Sequence, residues 1–138
     1  MDKPIILVAV DFFEGAEKVL QRARALADFH QSALHVVHVI EPLPDRIYAN
    51  DPLEGVSLQE HVEQMLVGLC QSADVAVDEI HVQKGAITKQ LLSCIDTLTP
   101  TCVVVGAHGR KGHRLFIGSS ARGLVNAAPC DIMIVKRA

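Results

Sequence analysis

The sequence predicts an α/β fold in which helices cover both faces of a five-stranded parallel sheet. The chain has 138 residues, the length of one domain, and 49% of them are apolar. Short apolar runs alternate with segments whose apolar residues recur at helical spacing. Right-handed crossovers between parallel strands place the helices on both faces. We therefore expect one domain over residues 1–138, with the order β-α-β-α-β-α-β-α-β.

The composition argues against several classes of protein. Only 21% of the residues are charged, and 13 Lys and Arg against 16 Asp and Glu give a net charge of −3. We therefore expect neither a disordered chain nor a partner among nucleic acids. The apolar runs are too short to cross a bilayer, and no signal peptide is apparent, so we expect a cytoplasmic protein without direct membrane insertion. Its cysteines form no CxxC pair and are expected to be buried, reduced thiols: Cys70, Cys94, Cys102 and Cys130.

The first 40 residues predict a β-α-β unit. Residues 4–10 are continuously apolar, which is typical of a strand covered on both faces. A helical stripe follows, made of Ala16, Val19, Leu20, Ala23, Leu26 and Ala27. Residues 33–40 form the second strand, so strand, helix and strand follow one another closely.

The middle of the chain predicts a loop, a helix and a strand near an edge of the sheet. Residues 41–56 are rich in proline and read as a surface loop. Ser57 and Glu60 have the spacing of a capping box that opens a helix. That helix is expected to bury Leu58, Val62, Met65, Leu66 and Leu69. Residues 75–83 form a strand whose polar end favours an edge position.

The last third predicts two helices and two strands. Apolar residues at helical spacing run from Ile87 to Leu98, and residues 101–105 form a compact, central strand that ends at Gly106. A basic loop over residues 106–117 leads to a helix that starts near Gly118, and residues 131–135 are the last strand. This short apolar strand either pairs with its twin in a second copy or is covered by the chain itself.

A ligand site is expected where the first and fourth strands end, at Asp11 and Gly106. In open parallel sheets, ligands bind beyond the carboxyl ends of the strands, at the point where strand order reverses. Glycines at 106 and 109 allow close approach of a ligand, and Gly118, Ser119 and Ser120 supply N–H groups and hydroxyls at a helix start, which suits phosphate. The alternative is that the glycines form a turn and Ser119 caps the helix.

The seven histidines do not predict a metal site. His35 and His38 lie three apart on a strand and therefore point to opposite faces. His108 and His113 lack a third ligand at suitable spacing. The remaining histidines lie in polar contexts and are expected on the surface: His30, His61 and His81.

Four motifs together resemble the universal stress protein family over essentially the whole chain. They are ILVAVD at 6–11, VVGAHGR at 104–110, IGSSA at 117–121 and APCDIMIV at 128–135, supported by His38–Val39 and Gly85. The resemblance implies an adenine-nucleotide-binding fold with strand order 3-2-1-4-5. It also implies a homodimer built through the last strand, acting on a regulatory partner that the sequence does not identify.

The resemblance also implies contacts with ATP or ADP. Asp11 would meet the ribose or a nucleotide-bound Mg²⁺, Val39 would pack on adenine, and the glycines and serines would hold the phosphates. The implied contact residues are Ala9, Asp11, Phe12, Val39, Gly106, Gly109, Arg110, Gly118, Ser119 and Ser120. The alternatives are that Asp11 caps a helix and that Val39 belongs to the core.

Three features depart from the family's ATP-binding branch. Its motif Gly-x2-Gly-x9-Gly-(Ser/Thr) is one residue short between Gly109 and Gly118. Two aromatic residues, Phe12 and Phe13, follow Asp11 and either line an adenine pocket or fill it. Residues 119–122 resemble a branch that does not hold ATP.

Two functions therefore compete, a nucleotide-gated regulator and a dimeric scaffold with an empty pocket. A slow ATPase is a weaker third, because the glycine loop carries no carboxylate to activate water.

Overall fold

The computed structural model describes residues 3–41, 57–107 and 119–137. The strands are β1 (Ile5–Ala9), β2 (Ala33–Ile40), β3 (Glu79–Lys84), β4 (Cys102–Ala107) and β5 (Asp131–Lys136). The helices are α1 (Ala16–Phe29), α2 (Leu58–Ser72), α3 (Ile87–Leu98) and α4 (Ser119–Ala127). The strands form one parallel sheet in the order β3-β2-β1-β4-β5. The predicted fold class and strand order are confirmed.

Two apolar clusters cover the two faces of the sheet. One joins α1 and α2 to the sheet, with Leu20 and Leu66 fully buried. The other joins α3 and α4 to the opposite face, with Ile95 and Leu124 fully buried. The alternation of side chains along each strand supplies both clusters, because successive residues point to opposite faces. In the part of the chain described, no helix has the length and apolar character needed to cross a bilayer.

The predicted helix start at Ser57 is present, but one predicted core residue is exposed. The Ser57 hydroxyl oxygen accepts a hydrogen bond of 3.1 Å from the Glu60 N–H, as the capping box requires. Leu58, in the first turn of α2, is 37% exposed. The prediction that it is buried was wrong, because the buried stripe of α2 starts one turn later, at Val62, and continues through Leu66 and Cys70.

Strand β4 extends beyond the predicted end at Gly106. Gly106 and Ala107 pair with Val135 and Lys136 of β5, so β4 continues through the glycine.

Strand β3 lies at an edge, as predicted. It begins at Glu79, later than expected. Asp78 precedes it and accepts a hydrogen bond of 2.8 Å from the Leu34 N–H. The predicted loop at 41–56, apart from Glu41, and the loop residues 108–117 lie outside the described residues.

Candidate functional site

A cleft of about 110 Å³ lies at the carboxyl edge of the sheet, where β1, β2 and β4 end. This is the expected position, because β1 lies between β2 and β4, and the helices that lead to those two strands, α1 and α3, cover opposite faces of the sheet. The predicted contact residues that line the cleft are Ala9, Asp11, Val39, Gly106 and Ser120. Four separate stretches of the chain thus supply these residues.

Four other predicted contact residues lie in the undescribed segment before α4 or at its end. Ser119 is the first residue of α4. Gly109, Arg110 and Gly118 lie outside the described residues. The spacing between Gly109 and Gly118, which is one residue short, falls in that same segment.

Phe12 and Phe13 do not fill the cleft. Phe12 packs against the cluster beneath α1 and α2, and its ring centroid lies 4.7 Å from that of His38. It is absent from the lining of the cleft. Phe13 is 54% exposed. The contact between Phe12 and a nucleotide therefore has no support from the position of its side chain.

Asp11 is held by an arginine that the sequence analysis did not single out. Both carboxylate oxygens accept hydrogen bonds from Arg137, with N–O distances of 2.8 and 2.5 Å. The side chain of Asp11 is 24% exposed and that of Arg137 is 10% exposed. Arg137 also donates to the backbone oxygen of Glu14 at 3.1 Å, and it lines the cleft. Its Nε lies buried and has no hydrogen-bond partner among the residues described.

Two glycines make room for the Arg137 side chain. A Cβ added to Gly106 would lie 2.6 Å from Arg137 Nε. A Cβ added to Gly15 would lie 2.6 Å from the Cβ of Arg137, and the φ of Gly15 is +90°. Gly106 therefore has a packing role in addition to the predicted close approach to a ligand. One sequence signal pointed to Arg137: it follows the last strand, and the ends of parallel strands meet at one edge.

The cap interpretation of Asp11 is wrong. Helix α1 begins at Ala16, its N-cap is Gly15, and no side chain caps it. Asp11 Oδ1 instead accepts a hydrogen bond of 3.0 Å from the Phe13 N–H. The alternative for Val39 remains open, since the residue is buried in the α3–α4 cluster and also lines the cleft.

His38 is a buried imidazole at the rim of the cleft. Its Nδ1 lies 2.8 Å from the Val10 carbonyl oxygen, and because that oxygen can only accept, Nδ1 carries a proton and donates it. Burial lowers the pKa of His38 below its usual 6.5, while the hydrogen bond to Val10 and the charges of Asp11 and Glu41 act in the opposite direction. His38 is therefore mainly neutral at pH 7.

The expectation for surface histidines is correct for His30 and wrong for His61 and His81. His30 is exposed, whereas the other two are half-buried. His81 stacks on His35, with ring centroids 5.2 Å apart. Because β2 and β3 align Val37 with His81, the side chain of His81 lies on the same face as that of His35. His35 and His38 belong to opposite faces of β2, as predicted from the alternation.

Comparisons with known proteins agree with this architecture. A curated relative, universal stress protein A homolog 1 of Coxiella burnetii, is 29% identical over 135 residues, and the match covers 94% of each chain. The solved universal stress protein UspA of Lactobacillus plantarum superposes with a TM-score of 0.73 at 18% identity, covering 98% of this chain and 99% of that one.

Two other solved structures carry nucleotides. A universal stress protein in complex with cAMP matches with a TM-score of 0.67 and 18% identity over the full length of both chains. The Archaeoglobus fulgidus protein in complex with dAMP matches at 0.63 and 18% identity, over 97% of this chain and 98% of that one. At 18% identity, these two similarities show a shared fold.

A sequence model described as "Universal stress protein family" matches residues 4–136. The match includes every strand and helix of the sheet and its two covering layers. The chain therefore belongs to the universal stress protein family.

Proposed function

We propose that this chain is a regulator that binds ATP or ADP in the cleft at the carboxyl edge of its sheet. The observation that carries the proposal is the convergence of predicted contact residues from β1, β2, β4 and α4 on one cleft. Solved members of the same fold hold cAMP and dAMP, which supports an adenine nucleotide as the ligand class.

The chemistry of the cleft suits the parts of a nucleotide. Ala9 and Val39 offer an apolar surface for the base. At the start of α4, Ser120 supplies a hydroxyl. The backbone N–H groups in the first turn of a helix have no partner within the helix, and they favour phosphate. Arg137 supplies a guanidinium that is paired with Asp11. Its Nε–H has no hydrogen-bond partner among the described residues and is suited to an anionic oxygen.

The proposed role of Asp11 depends on its ion pair. Both of its oxygens accept from Arg137, so the ribose or a nucleotide-bound Mg²⁺ would share the carboxylate with that arginine or displace it. Carboxylate oxygen is a suitable ligand for Mg²⁺. We therefore propose that Mg²⁺ enters with the nucleotide, and that the 106–117 loop is ordered by the phosphates.

A dimeric scaffold is the second candidate, and the Asp11–Arg137 pair favours it. The pair lies in the cleft and neutralises the carboxylate that a nucleotide would use. The scaffold function needs no nucleotide and acts through a protein partner. In both candidates, we propose that two copies pair through β5, an edge strand with Met133 exposed.

Calorimetric titration of the chain, stripped of nucleotide, with ATP and ADP separates the two candidates. Each titration is run with and without Mg²⁺, and adenosine serves as a ligand without phosphate. Saturable, micromolar binding that weakens from ATP to adenosine supports the nucleotide-gated regulator. An absence of heat up to millimolar ATP contradicts it and leaves the scaffold.

Light scattering tests the dimer independently of nucleotide. Met133→Lys places a charge on the β5 edge and is expected to convert a dimer to a monomer. Val67→Lys is the matched control, because Val67 is exposed on α2, away from β5. A dimer that survives Met133→Lys, or is lost equally in Val67→Lys, contradicts pairing through β5.

We also propose a reducing compartment, the cytoplasm, as the site of action. All four cysteines are free: Cys70, Cys94, Cys102 and Cys130. Burial raises the pKa of each thiol, which keeps it protonated and slow to oxidise. Cys102 and Cys130 are half-buried, so complete burial of all four, as expected from the sequence, was wrong.

A further inference from the structure

Three potential metal ligands meet on β2 and β3, away from the nucleotide cleft. His35 Nδ1 lies 3.0 Å from His81 Nε2 and 3.5 Å from Glu79 Oε2. The ligand atoms of the three residues all lie within 4.8 Å of one another. No other such group of three occurs in the described part of the chain.

The strand register creates this cluster. Parallel pairing aligns His35 with Glu79 and Val37 with His81, so all three side chains stand on the face that α3 covers. His35 is buried, His81 is half-buried and Glu79 is exposed. The cluster therefore has a fixed inner ligand and an open outer side through which an ion can enter.

Two of the three distances between ligand atoms are close to those around a small tetrahedral cation. Two nitrogen ligands at about 2.0–2.1 Å from Zn²⁺ lie about 3.3–3.4 Å apart when the geometry is tetrahedral. The two distances from His35 Nδ1, 3.0 and 3.5 Å, lie on either side of that value. The third pair, Glu79 and His81, lies within 4.8 Å, and Glu79 is exposed, so its carboxylate can rotate closer.

We propose that His35, Glu79 and His81 form a binding site for a divalent transition-metal ion of the Zn²⁺ class. Two imidazoles and one carboxylate are a ligand set that such ions prefer over Ca²⁺ or Mg²⁺, which favour oxygen ligands. The site supplies three protein ligands and leaves the remaining position to water. It ties the edge strand β3 to β2, so the bound ion stabilises that edge of the sheet.

The site is independent of the proposed nucleotide function. His35 and Glu79 lie near the start of their strands, whereas the cleft lies at the carboxyl ends. None of the three residues lines the cleft. The competing explanation is a simple hydrogen bond, in which one of the two facing ring nitrogens carries a proton and donates it to the other.

A competition titration with a chromophoric chelator measures Zn²⁺ binding to the full chain after treatment with EDTA. We expect one ion to bind in the wild type. His81→Ala and Glu79→Gln are expected to weaken Zn²⁺ binding at least about 10–100-fold. A loss of that size follows even when the replaced residue only hydrogen-bonds to a metal ligand. Co²⁺ serves as a spectroscopic probe, and a visible ligand-field band typical of tetrahedral coordination is expected only when His81 is present.

Two controls distinguish this site from the other histidines. His30→Ala removes an exposed histidine at the C-cap of α1, outside the cluster, and the variant is expected to bind as the wild type does. The double variant His108→Ala/His113→Ala removes two histidines of the 106–117 loop and is likewise expected to retain binding. Circular dichroism confirms that each variant is folded, and Glu79→Gln, at an exposed position, keeps the test valid if His81→Ala does not fold.

The outcomes are distinct. Loss in His81→Ala and Glu79→Gln, with retention in both controls, supports the site. Equal binding in wild type and in Glu79→Gln and His81→Ala overturns it, as does loss in the double variant. No Zn²⁺ binding in the wild type also overturns it and leaves the histidine pair as a hydrogen bond. None of these results depends on whether the chain binds ATP.

Discussion

Arg137 and Asp11 lie 126 positions apart in the chain and form a two-point ion pair, with N–O distances of 2.8 and 2.5 Å. The pair connects the residue after β5 to the end of β1, across the end of β4. Its charges belong to the polar lining of the cleft, because both residues line it. The same contact therefore contributes to the stability of the sheet edge and sets the charge that a nucleotide would meet.

Arg137→Gln is expected to destabilise the fold and weaken binding of phosphorylated nucleotides. The pair is partly buried, and its loss should lower the free energy of unfolding by about 1.5–3 kcal/mol, the range for hydrogen bonds to charged groups. Removing the positive charge should reduce affinity for ATP by more than that for adenosine. Urea unfolding and calorimetry measure the two effects.

Arg22→Gln is the control for this change, since Arg22 is an exposed residue of α1 and the loss of charge is the same. Tighter ATP binding in Arg137→Gln would contradict the proposed phosphate contact. It would indicate that Arg137 competes with the nucleotide for Asp11.

Gly106→Ala is expected to reduce nucleotide binding at a modest cost in stability. The new Cβ would lie 2.6 Å from Arg137 Nε and 3.0 Å from a methyl group of Val19, so the guanidinium must move into the cleft or away from Asp11. The Arg137 side chain is flexible at its end, which limits the cost. Calorimetry with ATP and a thermal melt measure the result.

Gly68→Ala is the matched control, because a Cβ there meets nothing within 4 Å. Replacing glycine by alanine within a helix should stabilise the chain by about 0.5–1 kcal/mol. Unchanged ATP affinity in Gly106→Ala would show that the nucleotide does not approach β4 at this position.

Gly15→Ala is expected to lower the free energy of unfolding by about 2 kcal/mol or more. The φ of +90° disfavours any residue with a Cβ, which costs about 1–2 kcal/mol in the left-handed region. The new atom would also lie 2.6 Å from the Cβ of Arg137, which cannot swing away as the end of a side chain can. Urea unfolding of the variant beside Gly68→Ala measures the loss. A change of less than 0.5 kcal/mol, on the order of an ordinary surface substitution, would contradict the packing of Arg137 against this turn.

His38→Asn is expected to make stability less sensitive to acid. Burial lowers the pKa of His38 in the folded chain below the 6.5 of the unfolded chain, so the unfolded state binds the proton more readily. The stabilising contribution is therefore complete above pH 6.5 and is lost as the pH falls through the lower, folded pKa. An Asn amide can still donate to the Val10 carbonyl but does not titrate.

Unfolding in urea across pH 5 to 8, about the range in which histidine titrates, measures the slope for wild type and variant. His81 also has a pKa lowered by burial and by His35, and it titrates in both proteins, so their difference isolates His38. Parallel curves for the two proteins would contradict the assignment.

The sequence by itself determined the order of the elements and most of the core. The spacing of apolar residues is a local property of the sequence. The helical stripe therefore predicted α1, and the apolar runs predicted β1 and β2. The cap at Ser57 is local too, since it links residues three apart. Even the place of the cleft followed from the order of strands. The nucleotide contacts themselves stay predictions.

Tertiary structure decided which side chains meet. Arg137 reaches Asp11 only because β5 pairs in parallel with β4 and ends at the same carboxyl edge of the sheet as β1. Gly15 and Gly106 leave space for its side chain. His81 meets His35 because the register between β2 and β3 places them on one face. Register and side-chain direction depend on contacts between residues far apart in the chain. No local pattern carries that information, so these pairs became visible only in the folded molecule.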